Sequence, residues 1–168
     1  MVCRVLVLCA TEPEIRPFLD RHRPDKKGNT PWGGNIYSGS LGGTGYDILI
    51  SGPGVFNTAV SLTAFLEKVL PDLILDTGIA GVFKGSGLGL GDAAVADRER
   101  YLPAGIDRGG TDPEPLPFDL IPSRPSTRKG IYPMDQNLVD KYLGCLEPKH
   151  QDPGGSGPRA GRGTFLTV

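Results

Sequence analysis

The chain alternates between short, continuously apolar runs and segments whose apolar residues recur with a helical period. Residues 3–10 and 72–76 are strand-length apolar runs of the kind found in strands buried on both faces. Residues 11–22 and 55–70 predict helices, the second of which ends at Pro71. This alternation predicts an α/β fold with a central mixed β-sheet flanked by helices.

The remaining pattern predicts a hairpin, one more strand and a third helix. Strands are expected at 35–41 and 46–51, joined by the turn 42–45, and at 92–97, with a helix at 134–146. Residues 25–33 are expected to form a polar loop, and 102–133 and 148–163 long loops. The chain reaches Val168 on the apolar opening of a strand at residue 163. We therefore expect a single domain over 1–168 that is incomplete at its C-terminal end.

Composition narrows the possible partners and the possible location. The 18 basic and 19 acidic residues are well mixed and give a net charge of −1, so a nucleic-acid partner is not expected. No apolar run is long enough to cross a bilayer, and the N-terminus has no signal-peptide pattern. The expected location is the cytoplasm, and Cys3, Cys9 and Cys145 are expected to be reduced thiols.

The two histidines direct the search for chemistry toward carboxylates. His22 and His150 are isolated in polar surroundings, so the sequence assembles neither a histidine metal site nor a Ser-His triad. We expect no metal and no cofactor. Any acid–base chemistry must then use carboxylates.

Three predicted loops could carry such chemistry, because ligands of open α/β sheets bind beyond the carboxyl ends of the strands. They are residues 10–14, 51–55 and 77–81. If their strands are neighbours, the loops converge on one crevice. Two loops are rich in small residues and glycine, which lets the backbone approach a ligand closely. The loop at 10–14 contributes the carboxylates of Glu12 and Glu14.

Two other interpretations of these motifs stay open. Thr11-x-x-Glu14 is a capping box, in which Glu14 reaches back to the Thr11 amide and stabilises a helix. The segment 52–57 follows a strand and opens a helix, with Asp76 downstream, as in a dinucleotide-binding motif; however, Asn57 stands where that motif has its third glycine.

Four motifs in register resemble the nucleoside phosphorylase and nucleosidase family. They are Ala10-Thr11-Glu12-Pro13-Glu14, Ser51-Gly52-Pro53-Gly54, Asp76-Thr77-Gly78-Ile79-Ala80-Gly81 and Gly89-Leu90-Gly91-Asp92. Within that family, residues 78–81 and 163–168 resemble the futalosine hydrolases, which act in menaquinone biosynthesis. The implied fold is phosphorylase-like. The implied enzyme is an N-glycosidic hydrolase that converts futalosine to hypoxanthine and dehypoxanthine futalosine.

The resemblance also implies roles for individual residues. Glu14 would be the catalytic base that activates the attacking water. Ala10, Pro53, Ile79, Ala80 and Gly81 would contact the nucleoside, and Ile106 would reach the pocket of a neighbouring subunit in a dimer-based homo-oligomer. The phosphorylases of the family bind phosphate with an Arg and a Ser where this chain has Asp76 and Ile79. Water is therefore favoured over phosphate as the nucleophile.

Two further residue roles of the family fall after Val168 by the same resemblance. They belong to a glutamate that holds the ribose hydroxyls and an aspartic acid that protonates the purine. A chain that ends at Val168 is therefore expected to have little hydrolase activity. The alternatives are a methylthioadenosine/S-adenosylhomocysteine nucleosidase, a non-catalytic truncated member of the family, and a dinucleotide-binding module.

Overall fold

The computed structural model describes residues 4–106, 109, 113–146 and 158–167. The chain divides into two compact units, residues 1–81 and residues 82–168. None of the helices in the described ranges is both long enough and apolar enough to cross a membrane.

The first unit is built on a five-stranded mixed sheet in the order β2-β3-β4-β1-β5. Its strands are β1 (Arg4–Cys9), β2 (Asp25–Asn29), β3 (Asn35–Leu41), β4 (Thr44–Ile50) and β5 (Leu73–Asp76). Strand β1 pairs in parallel with β4 on one side and β5 on the other. Strands β3 and β4 form the expected antiparallel hairpin. Gly42 and Gly43 make its turn with φ of 56° and 83°, values that glycine adopts at little cost.

One helix packs on each face of this sheet, because successive strand residues point to opposite faces. Helices α1 (Glu12–His22) and α2 (Val55–Leu66) connect the strands. Ile48 and Ile50 of β4 share a core cluster with Leu19 of α1. Leu49 shares the other cluster with Phe65 of α2. The expected mixed α/β arrangement, a central sheet flanked by helices, is confirmed.

Strand β2 and the end of helix α2 are the main differences from the sequence prediction in the first unit. The segment 25–33 was expected to be a loop, but residues 25–29 form edge strand β2, which pairs with β3 across a bulge. Its sequence, DKKGN, has no apolar residue. An edge strand tolerates such a sequence because its side chains can stay in solvent. Helix α2 ends at Leu66, not at Leu70.

The described residues of the second unit include a three-stranded sheet, one α-helix and one 3-10 helix. Strand β6 (Ala93–Tyr101) lies between β7 (Ile131–Pro133), which is antiparallel to it, and β8 (Ala160–Thr167), which is parallel. Helix α3 (Gln136–Leu146) buries Val139. The expected loop 102–133 contains a 3-10 helix, Pro125–Lys129, and strand β7. Strand β8 begins at Ala160, three residues before the predicted start, and residues 147–157 lie outside the described ranges.

Candidate active site

The three loops expected to converge do so within the first unit, at the carboxyl ends of β4, β1 and β5. Backbone hydrogen bonds connect them: the Gly52 amide donates to Ala10 O at 3.0 Å, and the Thr77 amide donates to Leu8 O at 2.9 Å. We call the space bounded by residues 10–14, 51–55 and 77–81 the strand-end crevice. The parallel pairing of three adjacent strands is what brings these loops together.

The Glu14 carboxylate lies between the first turn of α1 and the loop after β5. Its Oε2 atom accepts hydrogen bonds from the amide and the hydroxyl of Thr11, each at 2.7 Å. Its Oε1 atom accepts a hydrogen bond from the Ile79 amide at 3.2 Å. The cap and the crevice therefore use different oxygens of the same side chain.

Glu14 therefore caps helix α1 and contacts the loop 77–81 at the same time. The reach-back bond of the capping box is present, and α1 begins after Thr11 in extended conformation. Oε2 satisfies the N-terminus of the helix, while Oε1 lies at the loop 77–81. A helix cap thus fixes the carboxylate in one rotamer and turns one of its oxygens toward the strand-end crevice.

Hydrogen bonds to the Glu14 carboxylate determine its charge state, because they outweigh the effect of burial on its pKa. Burial raises its pKa, but donation from the Thr11 hydroxyl and from the Ile79 and Thr11 amides outweighs burial and holds the pKa below the ordinary glutamate value. The side chain is consequently a carboxylate at neutral pH. It can accept a proton from a water molecule without first losing one.

Cys9 is buried beneath this carboxylate and was missed as part of the site from sequence. Its thiol donates to Thr11 O at 3.3 Å, and its Sγ atom lies 3.7 Å from Glu14 Oε2. Burial, with the negative charges of Glu14 and Asp76, raises the pKa of the thiol to about 11. Cys9 is therefore a neutral weak donor here and not a nucleophile.

Gly78 lies in the motif 76–81 quoted from the sequence, but no role in the site was predicted for it. A Cβ atom at this position would lie 2.8 Å from Glu14 Oε1. The absence of a side chain lets the loop 77–81 approach the carboxylate closely enough for the Ile79 amide to donate to it. The sequence signal for this approach was the glycine itself, inside the quoted segment 76–81.

The loop 51–55 forms the other wall of the strand-end crevice. Gly52 and Gly54 have φ of 85° and 89°, and the Asn57 side-chain amide donates to Pro53 O at 2.7 Å. Ser51 is buried and its carbonyl accepts a hydrogen bond from the Ser61 hydroxyl. This network fixes the turn that leads into α2, and it leaves Pro53 exposed.

A model of the Phosphorylase superfamily (PNP_UDP_1) matches residues 4–168. The chain belongs to this superfamily.

Solved structures with the same superfamily fold include three methylthioadenosine/S-adenosylhomocysteine nucleosidases. The enzyme from Colwellia psychrerythraea, solved with adenine, has a TM-score of 0.75 and 23% identity over 100% of this chain and 63% of its own. The Neisseria meningitidis enzyme, solved with methylthio-immucillin-A, has a TM-score of 0.72 and 21% identity. The match covers 99% of this chain and 64% of that enzyme. The Helicobacter pylori enzyme, solved with butyl-thio-DADMe-immucillin-A, has a TM-score of 0.73 and 18% identity. The match covers 99% of this chain and 65% of that enzyme. The chain thus spans less than two thirds of each neighbour.

The other predicted contact residues of this superfamily member are distributed between the two units. Ala10 lies next to Thr11, and its carbonyl is occupied by the Gly52 amide. Ile79 is 85% exposed, and Ala80 and Gly81 are also exposed. Ile106 lies in the second unit, in an isolated β-bridge with Glu114. The substrate-binding roles of these residues stay predictions.

Proposed function

We propose that this superfamily member hydrolyses the N-glycosidic bond of a purine nucleoside, with Glu14 as the base that activates water. The observation that carries the proposal is the Glu14 carboxylate, ionised and held in one orientation between the loops 10–14 and 77–81 of the strand-end crevice. Carboxylates placed in this way recur in glycosidic hydrolysis, where they activate water or stabilise positive charge at the anomeric carbon.

The proposed reaction follows from this geometry. As the bond from C1′ to the base nitrogen breaks, positive charge develops on the ribose, and the Glu14 carboxylate stabilises it. The oxygen of a water molecule bonds to C1′ and its proton passes to Glu14. The departing base takes a proton from a general acid.

The charges around the strand-end crevice support water over phosphate as nucleophile. Glu14 of α1 and Asp76 of β5 both act electrostatically on Cys9 of β1. A phosphate dianion beside two carboxylates would be repelled, whereas neutral water would be oriented by them. Ile79 also offers an alkyl side chain where the resemblance gives the phosphorylases a hydroxyl.

Two substrate classes have support. Residues 78–81 resemble the futalosine hydrolases, and on this basis we propose futalosine as the substrate. The second candidate is methylthioadenosine or S-adenosylhomocysteine, because the solved structures with this fold include nucleosidases named for those compounds. Both candidates use the same Glu14 chemistry and differ in the group attached to the ribose or base.

A direct test is base release by the full-length gene product from futalosine and from methylthioadenosine, with and without inorganic phosphate. We expect hypoxanthine from futalosine at a rate that does not depend on phosphate, with methylthioadenosine cleaved more slowly. Faster cleavage of methylthioadenosine would transfer the proposal to the second candidate. Release that requires phosphate would contradict hydrolysis.

The charge state of Glu14 predicts the acid side of the pH–rate profile. A base must be ionised to act, so activity is lost as the pH falls through the pKa of Glu14, which lies below the ordinary glutamate value. Thr11→Val removes the hydroxyl donor that stabilises the charged form, and we expect the acid limb of kcat/KM to move to higher pH. Thr63→Val, on the exposed surface of α2, is the matched control. An acid limb that Thr11→Val leaves in place would show that another group titrates there.

A further inference from the structure

Glu12 is at the centre of a polar cluster between the first turn of α1 and strand β3. Its Oε2 atom accepts hydrogen bonds from the Asn35 side-chain amide at 2.5 Å and from the Tyr37 hydroxyl at 2.8 Å. Asn35 also donates to the Tyr37 hydroxyl oxygen at 3.1 Å. Arg16 pairs with Oε1 at 2.8 Å. The Glu12 side chain is only 22% exposed, so these contacts are partly shielded from water.

The cluster connects α1 to a strand that lies far from the loop contacted by Glu14. Asn35 and Tyr37 belong to β3, which is separated from β1 by β4. Glu14 instead contacts the loop that follows β5, on the other side of β1. Glu12 and Glu14 therefore hold the first turn of α1 at two points. Glu12 attaches it to β3, and Glu14 attaches it to the loop after β5, on the other side of β1 in the strand order.

We infer that Glu12 is a positioning residue that, through Asn35 and Tyr37, fixes the first turn of α1 and with it the Glu14 carboxylate. The inference rests on the proposed function, because it assigns Glu12 to the same site without placing it on the substrate. A helix turn held only at Glu14 could rotate about that contact. The second attachment at Glu12 removes this freedom.

The hydrogen bonds, and not the ion pair, are expected to supply this constraint. Arg16 is 54% exposed, and exposed ion pairs contribute little to stability. Hydrogen bonds to an ionised, partly buried carboxylate are stronger than neutral ones. Donation by Asn35 and Tyr37 lowers the pKa of Glu12, so the carboxylate stays charged at neutral pH. Removing the Tyr37 hydroxyl alone should therefore loosen the turn.

The test compares Tyr37→Phe, Glu12→Ala and Glu12→Gln in the full-length protein. Tyr37→Phe removes one hydroxyl and keeps the ring that packs against the core. Its matched control is Tyr46→Phe, on the adjacent strand β4, where the ring packs on Phe18. We expect Tyr37→Phe and Glu12→Ala to lower kcat about 10-fold to 10²-fold with KM nearly unchanged, because small displacements of a catalytic group have effects of this size. Glu12→Gln keeps one acceptor and should recover part of the loss.

A double-mutant cycle identifies whether the two residues act through one contact. The Glu12→Ala and Tyr37→Phe double variant should be no slower than Glu12→Ala alone. Additive losses, or equal effects of Tyr37→Phe and Tyr46→Phe on kcat, would overturn the inference.

A second readout does not depend on catalysis. We expect the Ile79 amide, which donates to Glu14, to exchange with solvent faster in Tyr37→Phe than in Tyr46→Phe. If the protein cleaves no nucleoside, the proposed function fails, yet this exchange comparison still decides whether Glu12 and Tyr37 position Glu14. Equal exchange in the two variants would overturn the positioning role.

Discussion

We expect Glu14→Gln to reduce the rate of N-glycosidic cleavage by the full-length protein about 10²–10⁴-fold, the range typical of general-base catalysis. Glutamine has nearly the same shape and can still accept a hydrogen bond from the Thr11 amide. It cannot take a proton from water, and it does not stabilise positive charge on the ribose. The measurement is kcat and KM with the preferred nucleoside, and the loss should fall on kcat.

Two comparisons make this result specific. Glu67→Gln changes an exposed glutamate at the end of α2 and should leave kcat unchanged. The midpoint of thermal unfolding of Glu14→Gln should stay close to that of the parent, because the neutral amide retains part of the cap. A Glu14→Gln enzyme with more than a tenth of the parental kcat would exclude Glu14 as the base.

The second large effect is expected from Gly78→Ala. A Cβ atom at this position would lie 2.8 Å from Glu14 Oε1, so the carboxylate must move away from the loop 77–81. The atom that must move is at the end of a flexible side chain, and Gly78 is exposed, so the fold should tolerate the change. We expect kcat to fall about 10²-fold, since a displacement near 1 Å can cost this much.

Gly28→Ala is the matched control for this substitution. Gly28 lies in β2 of the same unit, and a Cβ atom there would meet nothing within 4 Å. Both variants should have nearly the parental free energy of unfolding by denaturant titration, while only Gly78→Ala loses activity. Equal activity in the two variants would show that the close approach of Gly78 to Glu14 has no catalytic consequence.

The sheet around the strand-end crevice could be predicted because its central strands have a strong signal. Residues 5–9 and 73–75 are short apolar runs, and turn residues follow soon after each of them. Strand β2 could not be predicted because its sequence DKKGN is polar, and only pairing with β3 makes it a strand. The pattern of apolar residues predicts buried strands but gives little information about an edge strand such as β2.

The site could be predicted only as far as local spacing reaches. Thr11 and Glu14 are three residues apart, so the capping box was visible in the sequence. The contact of Glu14 with the Ile79 amide joins residues 65 positions apart, and the contact of Glu12 with Tyr37 joins residues 25 apart. Such pairs depend on strand order, which no local pattern specifies. For the same reason, the sequence presented the cap and the crevice as alternatives for Glu14, whereas its two oxygens serve both.

The most direct test of the central claim is a crystal structure of the full-length protein with a nucleoside analogue whose sugar ring carries a positive charge. We expect the ring to lie in the strand-end crevice, with a water molecule hydrogen-bonded to Glu14 Oε1 and facing the anomeric carbon. Glu14 should keep its hydrogen bonds to Thr11 in that complex. A ring bound elsewhere, or a Glu14 carboxylate turned away from the anomeric carbon, would contradict the account.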